Sequence, residues 1–165
     1  MSIEIEILNG DESWSRAEGL FKRVWPAEAV RELPWGHIKW ADAELRVMIE
    51  APDDGLACHV GIYFRNVSWN GRNVHIGGIG GVATRPDCRR RGYASLGLNA
   101  AVQTMRDHDA AQFALLFCEP EISNFIDRAV GSPSPVTSTS SSLTARCVSR
   151  SCRPSSTTSS GRRRG

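Results

Sequence analysis

Two long β-rich runs, Leu56 to Trp69 and Arg72 to Thr84, are separated only by Asn70-Gly71. No other stretch constrains the fold as much. Asn-Gly between such runs is the strongest short-range hairpin signal, because both turn residues tolerate positive φ. The second run carries Gly77, Gly78, Gly80 and Gly81. That many glycines weaken a strand, so they point to a bulge or to close approach by a ligand. The run continues through Val82-Ala83-Thr84-Arg85-Pro86-Asp87-Cys88 into Arg89-Arg90-Arg91-Gly92-Tyr93-Ala94, and a helical pattern spans Arg89 to His108. A strand that ends in a glycine-bearing turn at a helix start leaves several backbone N–H groups without a helical partner. With the helix dipole, those donors form a seat for a phosphate or pyrophosphate. Gly92, having no Cβ, and the small Ala94 let such a ligand come close.

Around this hairpin the chain alternates between the two classes of element. Residues 2 to 8 set Ile3, Ile5 and Ile7 between polar residues, a period of two that predicts a half-buried strand. Asn9-Gly10-Asp11 turns the chain, and Asp11 or Ser13 is placed to cap a helix reaching about Trp25. Pro26 and Pro34 bracket a short helical stretch, and Leu45 to Glu50 is a strand closed by the turn Pro52-Asp53-Asp54-Gly55. In the helix after the arginines, Leu96, Leu98, Ala101, Val102 and Met105 form one apolar stripe. Gln112 to Cys118 reads as a buried strand, and Glu119-Pro120-Glu121 opens a last helix. Hairpins on one side and a βαβ unit on the other predict an α+β fold with a mixed sheet.

Charge divides the chain into two unlike parts. Residues 1 to 131 carry 14 Lys and Arg against 18 Asp and Glu, whereas residues 132 to 165 carry six arginines and no acid. The net charge of +2 therefore describes neither part. The three arginines at 89 to 91 lie in a mildly acidic domain without interleaved aromatics, which argues against a nucleic-acid surface. The backbone donors and Gly92 matter more there than the guanidinium groups. No run is long enough for a membrane span or a signal peptide. The five scattered cysteines (58, 88, 118, 147 and 152) fit reduced thiols in a cytoplasm, and none shows paired metal-ligand spacing, so no metal is expected.

The order of elements and the loop together resemble the GNAT superfamily of acyl-CoA-dependent N-acyltransferases. The family's loop is Arg/Gln-x-x-Gly-x-Gly/Ala. Arg89-Arg90-Arg91-Gly92-Tyr93-Ala94 matches it, after the usual Val-x-x-x-Pro approach at Val82 and Pro86. The resemblance covers residues 1 to 131. It implies a GNAT-like mixed, mostly antiparallel sheet flanked by helices and direct acetyl transfer from acetyl-CoA to an amine of a small molecule or peptide. Residues Val82, Ala83, Thr84, Arg89, Arg90, Arg91, Gly92, Tyr93 and Ala94 would meet the coenzyme. Backbone N–H groups from Arg90 to Ala94 would hold the pyrophosphate, and the backbone at Val82 and Thr84 would pair with the pantetheine amides. A bulge parting this strand from 112 to 118 would admit the thioester, whose carbonyl would be polarised by an N–H near Val82. The Gly-rich strand and Val-Ala-x-Arg also look like the aminoglycoside N-acetyltransferase branch. Where that branch has a Glu before Gly-Val-Ala, this chain has Gly80, so its base does not carry over.

A base must still accept the amine's proton. His75 and Glu119 are the candidate catalytic residues. His59 and His75 lie on opposite strands of the hairpin, and the simpler reading of each is a strand histidine with a satisfied ring. Glu119 stands at the end of its strand, where it serves equally well as a charge at the last helix's N-terminus. Trp35, His37 and Trp40 are candidates to line an acceptor pocket or to pack the short helix.

The family's last helix carries a Phe-Tyr pair whose tyrosine protonates the departing thiolate. Asn124-Phe125 begins that pattern, but Ile126 stands in place of the tyrosine. The alternative function is therefore a catalytically inactive acyl-CoA-binding or interaction protein. Residues 132 to 165 hold twelve Ser and five Thr among 34 residues, a composition expected to be disordered and to lack the family's final two strands. The unpaired sheet edge would then invite dimerisation. One reading of this tail is a frameshift. Codons shifted by two bases permit Gly and Trp at the family's spacing after Phe125, then Val-Ala-Phe-Pro-Gly-Asp-Val-Tyr-Val-Glu-Gln-Pro-Asp-Gly. The other reading is a genuine basic tail for interaction or phosphorylation. Sequencing the coding DNA decides: a strand-like, uninterrupted shifted frame is the expected outcome, and a broken one rejects the frameshift.

Overall fold

The computed structural model describes residues 3–33, 36–52, 55–107, 111, 113–118, 120–130, 134–135 and 144–149. Strand β1 (Glu4–Asn9) leads directly into α1 (Gly10–Val24), and the five-residue α2 (Ala27–Arg31) follows Pro26. Strands β2 (Leu45–Ala51), β3 (Gly55–Trp69) and β4 (Arg72–Thr84) form an antiparallel meander, with β1 antiparallel to β2 at the edge. At the hairpin tip Asn70 and Gly71 both take positive φ, 49° and 73°, as a two-residue turn that follows the strand twist requires. A 3-10 turn at Pro86–Cys88 precedes α3 (Tyr93–Asp107), which carries the chain to β5 (Phe113–Cys118), parallel to β4. A second 3-10 turn, Pro120–Ile122, opens onto α4 (Ser123–Val130).

The five strands β1 to β5 make a mostly antiparallel sheet between two helical layers, so the α+β class expected from the sequence holds. On one face α3 lays Leu98, Ala101, Val102 and Met105 onto Val47, Ile49, Cys58, Val60 and Ile62, with Ile126 and Ala129 of α4 in the same cluster. Two glycines permit this contact. A Cβ on Gly77 would fall 2.5 Å from the Met105 sulfur, and one on Gly97 would fall 2.9 Å from a Val60 methyl. On the other face α1 buries Ala17 and Leu20. This burial of apolar area is the main stabilising term, at about 25 cal/mol per Å².

Several expectations change in detail. Asn9 caps α1 in place of Asp11 or Ser13, its side chain accepting from the Asp11 N–H at 3.0 Å. Gly10 opens the helix because a Cβ there would lie 1.6 Å from the Ala43 carbonyl oxygen. Helix α3 begins at Tyr93 and not at Arg89, since Arg90 and Gly92 hold left-handed φ that no right-handed helix can include. Leu96 is exposed, and Gly97 takes its place against the sheet. Ile3, Ile5 and Ile7 of the edge strand are also exposed, because α3 packs over β2, β3 and β4 and stops short of β1.

The Ser/Thr-rich stretch contributes two strands where the sequence predicts none. β7 (Thr144–Ser149) pairs antiparallel with all of β5, and the short β6 (Ser134–Pro135) pairs with β7. The free edge of β5 offers a full row of backbone donors and acceptors, a template that needs little from side chains. Thr144 and Val148 supply the β-branched residues within Thr-Ala-Arg-Cys-Val-Ser. The remainder of 132 to 165, including the expected disorder there, lies outside the described residues.

The two glycines of α1 respond oppositely to alanine. Gly10→Ala forces the α1 start off Ala43 and lowers stability by about 3 kcal/mol. Gly19→Ala meets nothing within 4 Å and raises stability by about 1 kcal/mol through helix propensity. Urea unfolding of both variants measures this, and equal effects would contradict the packing.

Candidate active site

Strand β4 pairs with β3 along its length except at one point. His59 faces Ala83 and Gly61 faces Gly80, so Gly81 and Val82 together oppose Val60. Gly81 adopts φ +57°, the left-handed conformation of a glycine bulge. Beside the bulge β4 leaves its other neighbour. Pairing with β5 runs from Ile76 opposite Phe113 to Ile79 opposite Leu116 and ends there, while β5 continues along β7 to Cys118. From Gly80 to Thr84 the edge of β4 that faced β5 therefore carries backbone groups outside that ladder. The ladder between the two strands thus ends next to the bulge.

The loop beyond Thr84 carries the chain from β4 to α3. The Arg85 N–H donates to the Ala57 carbonyl at 2.8 Å, the Cys88 N–H donates to the Arg85 carbonyl at 2.9 Å, and the Cys88 side chain is fully buried. The buried Arg85 side chain donates to Asp87 at 2.9 Å and holds that carboxyl below its usual range. Arg89 is extended (φ −63°, ψ 154°), and Arg90 at φ +61° and Gly92 at φ +86° then take left-handed conformations that turn the chain into the start of α3. The first bond of α3 runs from the Leu96 N–H to the Gly92 carbonyl at 3.0 Å. The N–H groups of Tyr93, Ala94 and Ser95 precede it and have no helical acceptor. The side chains of Arg89, Arg90 and Arg91 are exposed, with Arg89 Nε 3.4 Å from the Thr84 carbonyl. The Tyr93 ring is buried, so only its backbone faces the loop. A Cβ on Gly92 would meet nothing within 4 Å, so φ alone demands glycine there.

Behind the bulge lies a buried polar chain. His59 Nδ1 is 2.8 Å from the Gly81 carbonyl oxygen, and His59 Nε2 is 3.1 Å from Arg46 Nη1. Arg46 Nε donates to the Gly10 carbonyl at 2.9 Å, and its guanidinium lies 5.0 Å over the Trp14 ring. Phe21 meets His59 edge-on at 4.9 Å. Burial, with the Arg46 charge as a smaller cause, pushes the His59 pKa down to about 4, against a bond to Gly81 that favours the charged form.

A sequence model described as an acetyltransferase (GNAT) domain matches residues 10–123. The chain belongs to the GNAT acetyltransferase family. Escherichia coli ElaA superposes with a TM-score of 0.64 at 14% identity, covering 88% of this chain and 99% of ElaA. The PaiA N-acetyltransferase from Thermoplasma acidophilum, in complex with coenzyme A, gives 0.61 at 14% identity, over 91% of this chain and 100% of PaiA. The aminoglycoside N-acetyltransferase AAC(6')-Iy, in complex with CoA, gives 0.58 at 23% identity, over 83% of this chain and 91% of that one. These likenesses establish the GNAT fold. No curated protein matches the sequence.

Within this GNAT chain the expected site residues divide into those brought together and those set apart. Val82, Ala83 and Thr84 line the end of β4, and Arg89 to Ala94 form the loop beyond it. His75 lies six residues before Gly81, about 20 Å along the strand. It bonds Asn66 Oδ1 at 2.6 Å and stacks on Phe64. Glu119 and Trp35 lie outside the described residues, while His37 and Trp40 are exposed. Ile126 is buried in the core cluster. Among the described residues no group of three or more His, Cys, Asp or Glu could hold a metal, and no helix is long and apolar enough to cross a membrane.

Sequence reasoning missed two features. The Arg46–His59 chain gave no local signal, because the two residues meet only through the register of β2 and β3. Tyr63 was legible in hindsight from the glycines around it. Its ring lies across Gly61, Gly78 and Gly80, and its hydroxyl oxygen would sit 3.2 Å and 3.7 Å from Cβ atoms on Gly61 and Gly80. Burial raises its pKa and outweighs the Arg46 and Arg65 charges that lower it, with Glu44 and Asp42 adding to the rise, so the phenol stays protonated. Asp42 and Glu44 also line a cavity of about 350 Å³ with Asn9, Asp11 and Ala43.

The buried imidazole makes stability depend on pH. The unfolded chain takes up a proton near pH 6.5 and folded His59 does so only near 4, so stability falls as pH drops through that window. A gap of that size corresponds to about 3 kcal/mol. Urea unfolding at pH values above and below the window should show this loss in the wild type and its absence in His59→Asn. Parallel profiles in the two proteins would contradict it.

Proposed function

We propose that this chain is an acetyl-CoA-dependent N-acetyltransferase acting on a primary amine of a small molecule or peptide. The parting of β4 from β5 at Gly80, with the Arg89–Ala94 loop beyond it, carries the reading. Extended pantetheine suits the unpaired edge at Val82 and Thr84, and a pyrophosphate suits the N–H groups from Arg90 to Ala94. The coenzyme A complexes of two proteins of the same fold support this choice of ligand. The thioester carbonyl then lies at the bulge, where the Val82 N–H stabilises the oxyanion. A neutral amine adds to the carbonyl carbon, the C–S bond breaks, and the ammonium proton passes to water or a base. Tyr63, kept protonated beside Gly80, is our candidate to return a proton to the thiolate. The cavity next to β3 offers Asp11 and Asp42 to a cationic acceptor, while Glu44 at its rim is paired with Arg65. The buried cysteines at 58 and 88 fit a reducing, cytoplasmic setting.

A second reading, coenzyme binding without turnover, is favoured by Ile126 at the position of the family's tyrosine. Thiol release across a panel of amines separates the two readings. Release with at least one amine supports the transferase, and binding with none supports the silent protein. Gly92→Val forces a β-branched residue to φ +86°, which costs the loop its shape and weakens acetyl-CoA binding about tenfold or more. Unchanged affinity in isothermal titration would reject the loop as the coenzyme site.

A further inference from the structure

We propose that His59 is a positioning residue for acyl transfer, fixing the Gly81 carbonyl so that the Val82 N–H is aimed at the thioester. The inference rests on the acetyl-transfer reading above. A carbonyl oxygen only accepts, so Nδ1, 2.8 Å from Gly81, carries the hydrogen. A guanidinium only donates, so Nε2, 3.1 Å from Arg46, presents its lone pair. The two neighbours thus select one neutral tautomer, consistent with a ring that burial keeps from protonating.

The geometry of the bulge makes that bond consequential. A trans peptide holds its C=O and N–H on opposite sides, so the ring that anchors the Gly81 carbonyl turns the Val82 N–H away from itself. Glycine at positive φ is the residue of this strand most free to rotate its following peptide plane. A flipped plane would put an oxygen lone pair where the developing oxyanion needs a donor. The ring is itself fixed, buried in full between Phe21 and the strand, while Arg46 is tied to Gly10 and Trp14 of α1. The α1 start is thereby connected to the bulge through four hydrogen-bonded or stacked groups. A histidine that served only to satisfy a carbonyl could be replaced by any buried donor; one that aims an N–H could not.

Asparagine and glutamine distinguish these roles, since the Asn amide reaches the Nδ1 position and the Gln amide reaches toward Nε2. In the full chain, His59→Gln should lower kcat in the thiol-release assay by about 100-fold, the cost of losing one preorganised oxyanion donor. Its acetyl-CoA affinity should stay within about threefold, and His59→Asn should recover kcat to within about tenfold of wild type. With acetyl-CoA labelled with carbon-13 at the thioester carbonyl, binding should shift the resonance downfield in wild type and His59→Asn, and not in His59→Gln. Nitrogen-15 shifts of the wild-type ring should report Nδ1–H near neutral pH, with or without coenzyme. An Nε2–H tautomer, equal kcat and carbonyl shifts in the two variants, or loss of affinity in step with kcat would overturn the proposal. If turnover is absent, or a variant does not fold, the tautomer and the wild-type carbonyl shift decide. If the wild type binds no acetyl-CoA, the coenzyme reading fails and takes this inference with it, whatever the tautomer.

Discussion

A single left-handed glycine, Gly81, stands where β4 must satisfy β3 on one side and abandon β5 on the other. A strand without that residue would continue straight and keep both ladders. The bulge inserts one extra residue, bends the strand and ends its pairing with β5 at Ile79. The loop to α3 then follows a stretch of β4 that no longer pairs with β5. The neighbouring glycines have other tasks. Gly77 admits Met105, and Gly78 and Gly80 admit the Tyr63 ring. The glycine run thus packs two different faces and bends the strand only once.

The buried Arg46–His59 pair is costly, because each would lose its hydration on folding. Its neighbours repay that cost with directed bonds to Gly10, Gly81 and each other, and with the faces of Trp14 and Phe21. Breaking any one bond would leave a buried polar group unsatisfied, which is worse than an apolar core. Such a network gives α1 one seating on the sheet. It also ties the start of that helix to the strand bend, so that two features distant in sequence share one geometry.

Membership of the GNAT family explains the parting of β4 from β5 and the loop, and the chain departs from the family's pattern in instructive places. The loop turns through two left-handed residues, one of them a non-glycine, Arg90. Ile126, where the sequence pattern leads us to expect the family's tyrosine, is a core residue. β7 covers the outer edge of β5 with a sequence whose side chains alone would not predict a strand. In each case backbone geometry is retained where side-chain identity is not, since the fold needs ladders and N–H donors before it needs particular side chains.

The order of elements, the hairpin at Asn70-Gly71 and the loop from Arg89 to Ala94 were legible in the sequence, and the glycine run left a choice between a bulge and close approach by a ligand that the structure resolves as a bulge at Gly81. They rest on local rules: turn residues tolerate positive φ, apolar periods mark elements, and glycine permits unusual backbone. The start of α3, the exposure of the β1 isoleucines, the strand at 144–149 and the pairing of Arg46 with His59 were not. Each depends on which partner an element finds across the sheet, and a sequence records no such distances. The sequence by itself determined that β4 would end in an N–H-rich loop, because glycine conformations and helix ends are local. Only the tertiary structure decided which side chains stand behind the bend, because strand register brings residues 46, 59 and 81 into hydrogen-bond contact.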